Sequence, residues 1–291
     1  VPIWKRSKSE VTTEEYNEFY KDKFVDWEDP QKIISTNVEG LLSYNALLFI
    51  PSRVPYNFYS KDYKRGLQLY SSGVLIMDKC EDLLPDYFGF VRGLVDSQDI
   101  SLNISREMLQ QDRQVKAIAN RLEKKIISEL KDMMAKDREG YEKFFNNFGL
   151  RLKFGIYDNF GANKDKLKDL VMFYSSTEDK LVTFQEYVDR MKEDQKYIYY
   201  ATGDSIDKIK RMPQNEMLMD KGYEVLFCTE EVDEFALKVL NSYNDKPFKS
   251  TAEDDLGIEM SDEEKAIREK QSKASEGLLN SIKDALDGKV A

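Results

Sequence analysis

One long amphipathic pattern constrains the fold of this chain more than any other feature. Between Ser105 and about Ala135, apolar residues recur at steps of three and four, whereas charged residues fill the positions between them. This spacing places the apolar side chains on one face of a helix. They are Val115, Ile118, Leu122, Ile126, Leu130 and Met133. A helix of this length needs another layer of structure against which to bury that face.

Strand and helix patterns alternate around this helix. A run of apolar residues from Leu41 to Ile50 predicts a strand that stops at Pro51. Further strands are predicted at Leu67–Tyr70, Val74–Met77, Tyr197–Ala201 and Tyr223–Cys228, and further helices at Thr183–Met191 and Val232–Leu240. After a break at Gly140, an aromatic stripe of core residues predicts a helix that Gly149 could cap; it comprises Tyr141, Phe144, Phe145 and Phe148. The pattern predicts an α/β fold class.

The chain divides by composition into five segments. Few apolar residues remain after residue 250, which indicates a linker or a lone solvated helix, and an amphipathic pattern then resumes at Gly277. We therefore expect a larger α/β/α unit at 1–137, a helical connector at 138–170, a smaller α/β/α unit at 171–249, an acidic linker at 250–276, and the first helix of a truncated further domain at 277–291.

Composition excludes several classes of function. The formal net charge of −10 argues against nucleic-acid or anionic-membrane binding, and the absence of histidine excludes catalytic triads and His-ligated metals. No apolar run or signal peptide indicates membrane insertion or secretion, so we expect a cytoplasmic location. Cys80 and Cys228 lie in apolar contexts that favour buried free thiols, with a disulfide as the alternative.

A polar loop precedes the long helix. The stretch from Val95 to Asn103 reads as exposed, and Ser105 is a good N-cap. Arg106 then stands at the start of the helix, where the helix dipole disfavours a cation by roughly a few tenths of a kcal/mol. The arrangement becomes favourable if an anion binds, with Gln110 on the same helix face and Asn103 just before it. The alternative is a surface arginine beside a cap.

The polar loop belongs to a series of short motifs along the chain. The loop itself is Ser101–Gln111, with sequence SLNISREMLQQ. The other motifs are PIW at 2–4, TEEY at 13–16, WEDP at 27–30, VEG at 38–40, LFIP at 48–51, EDLLP at 81–85, GLVDS at 93–97, YYATG at 199–203 and YEVLF at 223–227. In order and approximate spacing, up to about residue 265, they resemble the motifs of the heat shock protein 90 family of ATP-dependent chaperones, bacterial type, and the stretch Ser101–Gln111 is similar to the catalytic loop of that family's middle domain.

The resemblance implies a fold and a catalytic role. The larger unit would have the fold of the second domain of ribosomal protein S5. ATP with Mg²⁺ would be bound by an N-terminal domain missing from this chain, and no cofactor is expected in the fragment itself. Arg106 would reach the ATP γ-phosphate when that domain docks, with Asn103 and Gln110 supporting it. The fragment alone would be inactive.

The resemblance also implies client contacts. Trp4 matches an exposed tryptophan near the start of the middle segment, although it could instead anchor the first residues of the chain. Glu234 and Phe235 match a client-contact pair that carries tryptophan in some members. The aromatic cluster near the second strand could hold clients or pack around a hairpin; it comprises Phe49, Pro55, Tyr56, Phe58 and Tyr59.

The expected partners follow from this reading. They are the chain's own N-terminal ATPase domain, partly folded client proteins and cochaperones, but neither nucleic acid nor membrane. The parent would be a homodimer, and the fragment a monomer. Two rival functions remain: a standalone interaction scaffold with no nucleotide role, and an enzyme that uses carboxylates and lysine.

Overall fold

The computed structural model describes residues 1–287, which contain two β-sheets. The chain separates into two compact units, Val1–Val171 and a second that begins at Met172. Each unit contains one of the sheets together with helices. The predicted α/β fold class is therefore confirmed.

The first unit contains a five-stranded sheet. The strands lie in the order β1-β2-β5-β3-β4, and all neighbours are antiparallel except β3 and β5. The elements are α1 (Thr13–Phe24), β1 (Lys32–Val38), β2 (Tyr44–Ile50), β3 (Leu67–Ser71), β4 (Val74–Cys80), β5 (Arg92–Asp96), α2 (Arg106–Leu109), α3 (Arg113–Lys136), α4 (Arg138–Gly161) and α5 (Lys164–Leu167).

The core of the first unit forms where apolar strands meet aromatic helix faces. Residues on both faces of β2 are buried, which explains why it reads as a continuous apolar run. On one face, Tyr20 of α1 packs against Phe49 with ring centroids 5.0 Å apart. The predicted apolar face of the long helix is buried along its whole length.

The long helix is interrupted, contrary to the expectation of one helix from Ser105. A short helix, α2, ends at Leu109, and α3 begins at Arg113. The break has a local cause, because the Asp112 carboxylate accepts the backbone N–H of Val115 at 2.9 Å and so starts a new helix. The loop that carries Arg106 is therefore separated from α3.

The aromatic stripe lies on α4, but the start of this helix and the position of Gly149 differ from the prediction. The helix begins beyond Asp137, whose carboxylate accepts the N–H of Gly140 at 3.0 Å, so the break precedes Gly140. Gly149 lies inside the helix, where a Cβ would come within 2.6 Å of the Phe145 ring. Residues 138–170, predicted as a connector, fall within the first unit because this stripe is part of its core.

The second unit contains a six-stranded sheet in the order β10-β11-β8-β9-β6-β7. Strands β11, β8 and β9 are parallel, and short antiparallel strands form both edges. Its elements are β6 (Phe173–Ser175), β7 (Leu181–Val182), α6 (Phe184–Arg190), β8 (Ile198–Thr202), α7 (Ile206–Lys210), α8 (Pro213–Asp220), β9 (Val225–Cys228), α9 (Glu231–Leu240), β10 (Ser242–Tyr243), β11 (Lys246–Ser250) and α10 (Asp262–Asp287).

The acidic stretch from Asp262 onward and the final amphipathic pattern form one helix. We expected a linker or lone helix to 276 and a new helix from 277, but α10 runs through Gly277 without a break. A glycine inside a helix costs only about 1 kcal/mol, which the surrounding helix-forming residues can offset. The part of the prediction that concerns 288–291 lies outside the described residues.

Two further sequence predictions concern membrane-spanning helices and the two cysteines. Within 1–287, no helix is long and apolar enough to cross a membrane. Cys80 and Cys228 are both buried thiols and form no disulfide within these residues, as predicted. Burial raises the pKa of the Cys80 thiol to about 11, which keeps it protonated at neutral pH.

Candidate functional site

A loop between β5 and α3 carries the predicted catalytic residues. Two buried apolar side chains, Ile100 and Leu109, hold it to the first unit. Burying a side chain such as Leu109 stabilises the folded state by roughly 1.5–3 kcal/mol. Between these anchors, residues 101–108 are exposed apart from the half-buried Ile104. The loop is thus fixed at both ends and open along its middle.

Hydrogen bonds fix the start of this loop, residues 97–100, which we call the loop root. The Ser97 hydroxyl donates to the Ser43 carbonyl at 2.7 Å, and the Ser43 N–H donates to the Asp99 carboxylate at 2.8 Å. The Ser71 hydroxyl donates to the Ile100 carbonyl at 2.5 Å. The loop root is therefore tied to the β1–β2 turn and to the end of β3.

Arg106 is presented to solvent by a one-turn helix. The Ser105 hydroxyl accepts the N–H of Met108 at 3.3 Å, so the predicted cap is present. Among the described residues, the exposed Arg106 guanidinium has no hydrogen bond or ion pair. A cation without a protein partner is available to an anionic ligand.

Asn103 and Gln110 lie on the same exposed loop as Arg106. The backbone N–H of Asn103 donates to the Ser101 hydroxyl at 3.3 Å, and its side chain faces solvent. We expected Gln110 to share a helix face with Arg106, but Gln110 is the C-cap of α2 and lies past the last residue of that helix. The structure brings the three residues to one loop, with no direct contact among their side chains.

Trp4 is packed into the first unit. Its indole N–H donates to the Asp96 carboxylate at 3.0 Å, and its ring lies 5.1 Å from that of Tyr70 and 6.1 Å from that of Phe19. Trp4 is half-buried by these contacts. This geometry matches the anchoring alternative, and client contact at Trp4 stays a prediction.

The other tryptophan, Trp27, is the exposed one. Its side chain is 77% exposed, and the Arg53 guanidinium lies 4.8 Å from its ring centroid. Tyr56 is fully exposed, whereas Phe58 in the same predicted aromatic cluster is buried. We call the exposed residues Trp27, Arg53 and Tyr56 the aromatic surface; Arg53 lies over the Trp27 ring, and Tyr56 follows Arg53 by three residues in the chain. In the sequence, Trp27 stands out only as part of a family motif; the polar residues and proline that follow it, Glu28-Asp29-Pro30, are the signal that could have indicated its exposure.

A carboxylate beneath the aromatic surface holds Arg53. Asp26 accepts the Tyr20 hydroxyl at 2.8 Å and the Glu28 N–H at 3.1 Å, and Arg53 lies 3.5 Å away. Burial by itself raises the pKa of Asp26, but the two hydrogen bonds and the nearby Arg53 and Arg92 outweigh burial and lower it. Asp26 is therefore ionised at neutral pH and fixes the guanidinium that stacks on Trp27.

In the second unit, Glu234 and Phe235 lie on α9. Phe235 is 53% exposed, and Glu234 pairs with Lys238 one turn along the helix at 3.2 Å. The exposed ring is compatible with the predicted client contact. The contact itself stays a prediction.

Comparison with known proteins identifies the family. The model of the Hsp90 protein family matches residues 1–291. The chain belongs to the Hsp90 family. It is 55% identical over 291 residues to the chaperone protein HtpG of Clostridium perfringens, and 56% identical over 290 residues to HtpG of Bacillus subtilis.

The match to the Hsp90 family covers part of these relatives. All of this chain aligns, but it spans only 46% of the length of each of the two HtpG proteins. A solved structure of the middle domain of a Plasmodium falciparum heat shock protein covers 86% of the chain, with a TM-score of 0.77 and 33% sequence identity. The predicted resemblance is thus confirmed, and the fold is that of an Hsp90 middle domain.

Proposed function

We propose that this chain is the part of an ATP-dependent chaperone that supplies Arg106 to ATP bound by another domain of the same parent. The observation that carries the proposal is the exposed, unpaired Arg106 guanidinium on a loop anchored at both ends. Arg113 is likewise exposed and unpaired among the described residues, so what distinguishes Arg106 is its place on a loop anchored at both ends. The Hsp90 family membership supplies the ligand, ATP.

The proposed chemistry is electrostatic. Phosphoryl transfer builds charge on the γ-phosphate oxygens, and a guanidinium placed against them stabilises the transition state. Related arginines raise turnover by about 10³-fold or more, and we expect a smaller effect because Arg106 would also favour docking. Asn103 and Gln110 would contact the docked domain beside Arg106.

ATP and Mg²⁺ are assigned to the other domain. This chain's own part is to carry Arg106 to the nucleotide, so we propose that it does not hydrolyse ATP alone. The parent would act in the cytoplasm as a homodimer.

A reconstitution experiment tests this proposal. ATP hydrolysis by the isolated nucleotide-binding domain of the parent would be measured with and without this chain. We expect stimulation by the wild-type chain and none by Arg106→Ala, whereas Arg113→Ala, an exposed arginine at the start of α3, should stimulate as wild type does. Equal stimulation by Arg106→Ala would contradict the proposal.

We also propose that partly folded client proteins bind to exposed aromatic side chains. Interface hot spots are enriched in tryptophan, tyrosine and arginine, and the aromatic surface presents all three. Phe235 with Glu234 would form a second contact on the other unit, and Trp4 would contribute only through the part of its ring that packing leaves exposed. Loss of client binding on Trp27→Ala, measured with an unfolded protein, tests this proposal.

A further inference from the structure

A buried carboxylate joins the first residues of the chain to the loop root. Asp96 ends β5 and is 2% exposed. Its Oδ2 atom accepts the Trp4 indole N–H at 3.0 Å and lies 3.3 Å from the Lys5 ammonium, while its Oδ1 atom accepts the Gly73 N–H at 3.0 Å. Because a buried carboxylate needs donors, these contacts hold residues 2–6 firmly against Asp96.

A second route connects the same two segments. The N–H of Ser97, the first residue of the loop root, donates to the Tyr70 carbonyl at 3.1 Å. The Tyr70 ring in turn packs against Trp4. Asp96 and Tyr70 are also register partners in the parallel pair of β5 and β3. Residues 2–6, the end of β3 and the loop root thus form one hydrogen-bonded assembly.

We propose that Asp96 is a positioning residue for Arg106, because it locks residues 2–6 to the root of the loop that carries this arginine. The inference rests on the proposed function, in which Arg106 acts on ATP held by an N-terminal domain of the parent. Movement of that domain then reaches the loop root through residues 2–6. Asp96 keeps the root in place while residues 101–108 meet the nucleotide.

A merely stabilising role for Asp96 makes different predictions. A residue that only stabilises the first unit would lower the unfolding midpoint without a specific effect through Arg106. A positioning residue acts through Arg106, so its loss should matter little once Arg106 is absent. The catalytic constants of double variants separate the two roles.

The experiment measures kcat and KM for ATP in the full-length parent. Asp96→Asn keeps the size of the side chain and removes its charge, and we expect kcat to fall about tenfold with KM for ATP unchanged. Trp4→Phe, which keeps the ring but loses the N–H donor, should give a smaller fall of the same kind. The matched control is Asp78→Asn on β4, a strand of the same sheet that β3 separates from β5. Among the described residues, the Asp78 carboxylate accepts a hydrogen bond only from the Gln68 amide, at 2.8 Å.

The double variant decides the mechanism. We expect Asp96→Asn to change kcat less than twofold in an Arg106→Ala background. An equal tenfold loss in both backgrounds, or an unchanged kcat for a folded Asp96→Asn variant, would overturn the proposal.

Hydrogen exchange separates this proposal from the proposed function. In the 291-residue chain, Asp96→Asn should raise amide exchange in residues 2–6 and 97–100 together, by about tenfold, with no nucleotide needed. Unchanged exchange there would show that Asp96 does not join the two segments. If Arg106→Ala leaves turnover unchanged while exchange rises as expected, the proposed function is wrong and the structural link at Asp96 stands.

Discussion

Two tryptophans show how much function depends on the surroundings of single residues. Trp4 follows Ile3 and Trp27 follows Asp26, and these local sequences do not show which tryptophan is exposed. The structure gives Trp4 a buried hydrogen-bond partner and leaves Trp27 exposed beside Arg53. The exposed residue is therefore the better candidate for client contact.

At the aromatic surface, Trp27→Ala should weaken binding of an unfolded client by about tenfold. Truncating a central aromatic contact costs about 1–2 kcal/mol of binding free energy, and about 1.4 kcal/mol corresponds to a tenfold change in affinity. Tyr56→Ala should act in the same direction. Leu41→Ala, which removes a fully exposed apolar side chain at the β1–β2 turn, is the control and should have little effect. Binding would be measured by fluorescence anisotropy of a labelled unfolded protein. Equal affinities for all three variants would contradict a role for this surface.

Asp26 should make the stability of the first unit depend on pH. Its pKa is lowered in the folded state, so its contribution to stability is present above the unfolded value, near 3.8, and is lost as pH falls through the folded value. Asp26→Asn should therefore be less stable than wild type at pH 7, with the gap closing below about pH 4.

The measurement for Asp26 is urea unfolding of the chain between pH 7 and pH 3. Asp22→Asn is the matched control, since Asp22 is exposed on α1 and forms no hydrogen bond or ion pair among the described residues. A gap between wild type and Asp26→Asn that stays constant over this pH range would show that the ionised carboxylate does not stabilise the fold.

At the scale of elements, one glycine permits the close pairing of β2 and β5. Gly93 has φ of +144°, and a Cβ there would lie 2.1 Å from the Leu47 carbonyl oxygen. Gly40 has almost the same φ, +146°, but a Cβ there meets no atom within 4 Å. An alanine would therefore strain the backbone at both positions, but only at position 93 would its methyl group overlap a neighbouring strand.

We expect Gly93→Ala to lower the free energy of unfolding by at least about 3 kcal/mol, because the new methyl group overlaps the backbone of the neighbouring strand. Gly40→Ala should cost about 1–3 kcal/mol from strain alone. Denaturant unfolding of both variants measures the difference. Equal losses would show that the strands can separate to accept the methyl group.

The elements also show what could be predicted from the sequence. The buried face of α3 was predictable because six apolar residues keep helical spacing, and so was the aromatic core face of α4. The break before Arg113 was not predicted, because Asp112 acts as a cap inside an otherwise continuous pattern. Strands of two or three residues, such as β7 and β10, carry too few residues to show a period.

In the candidate site, too, some features could be predicted from local sequence and others could not. The position of Arg106 after the Ser105 cap followed from local sequence, because capping depends on neighbours only. The Asp96 link and the exposure of Trp27 depend on residues distant in sequence, so only the structure shows them. Family resemblance supplied the ligand, which neither spacing nor burial identifies.

At the scale of the whole molecule, the chain spans 46% of the length of its Clostridium perfringens relative, and the proposed ATP hydrolysis requires another domain of the parent. Its two units each have their own sheet, and the proposed ATP-directed residue lies on the first, while Phe235 lies on the second. A chaperone could thus use one unit for the nucleotide and both for clients.

The most direct test of this account is single-turnover ATP hydrolysis by the full-length parent with Arg106→Ala, next to the matched Arg113→Ala. We predict that Arg106→Ala lowers the rate of hydrolysis about 10- to 100-fold with ATP affinity nearly unchanged, because the arginine acts on the transition state and ATP is bound elsewhere. Arg113→Ala should hydrolyse ATP at the wild-type rate. A wild-type rate for Arg106→Ala would contradict the account and leave a protein-interaction scaffold as the better description of this chain.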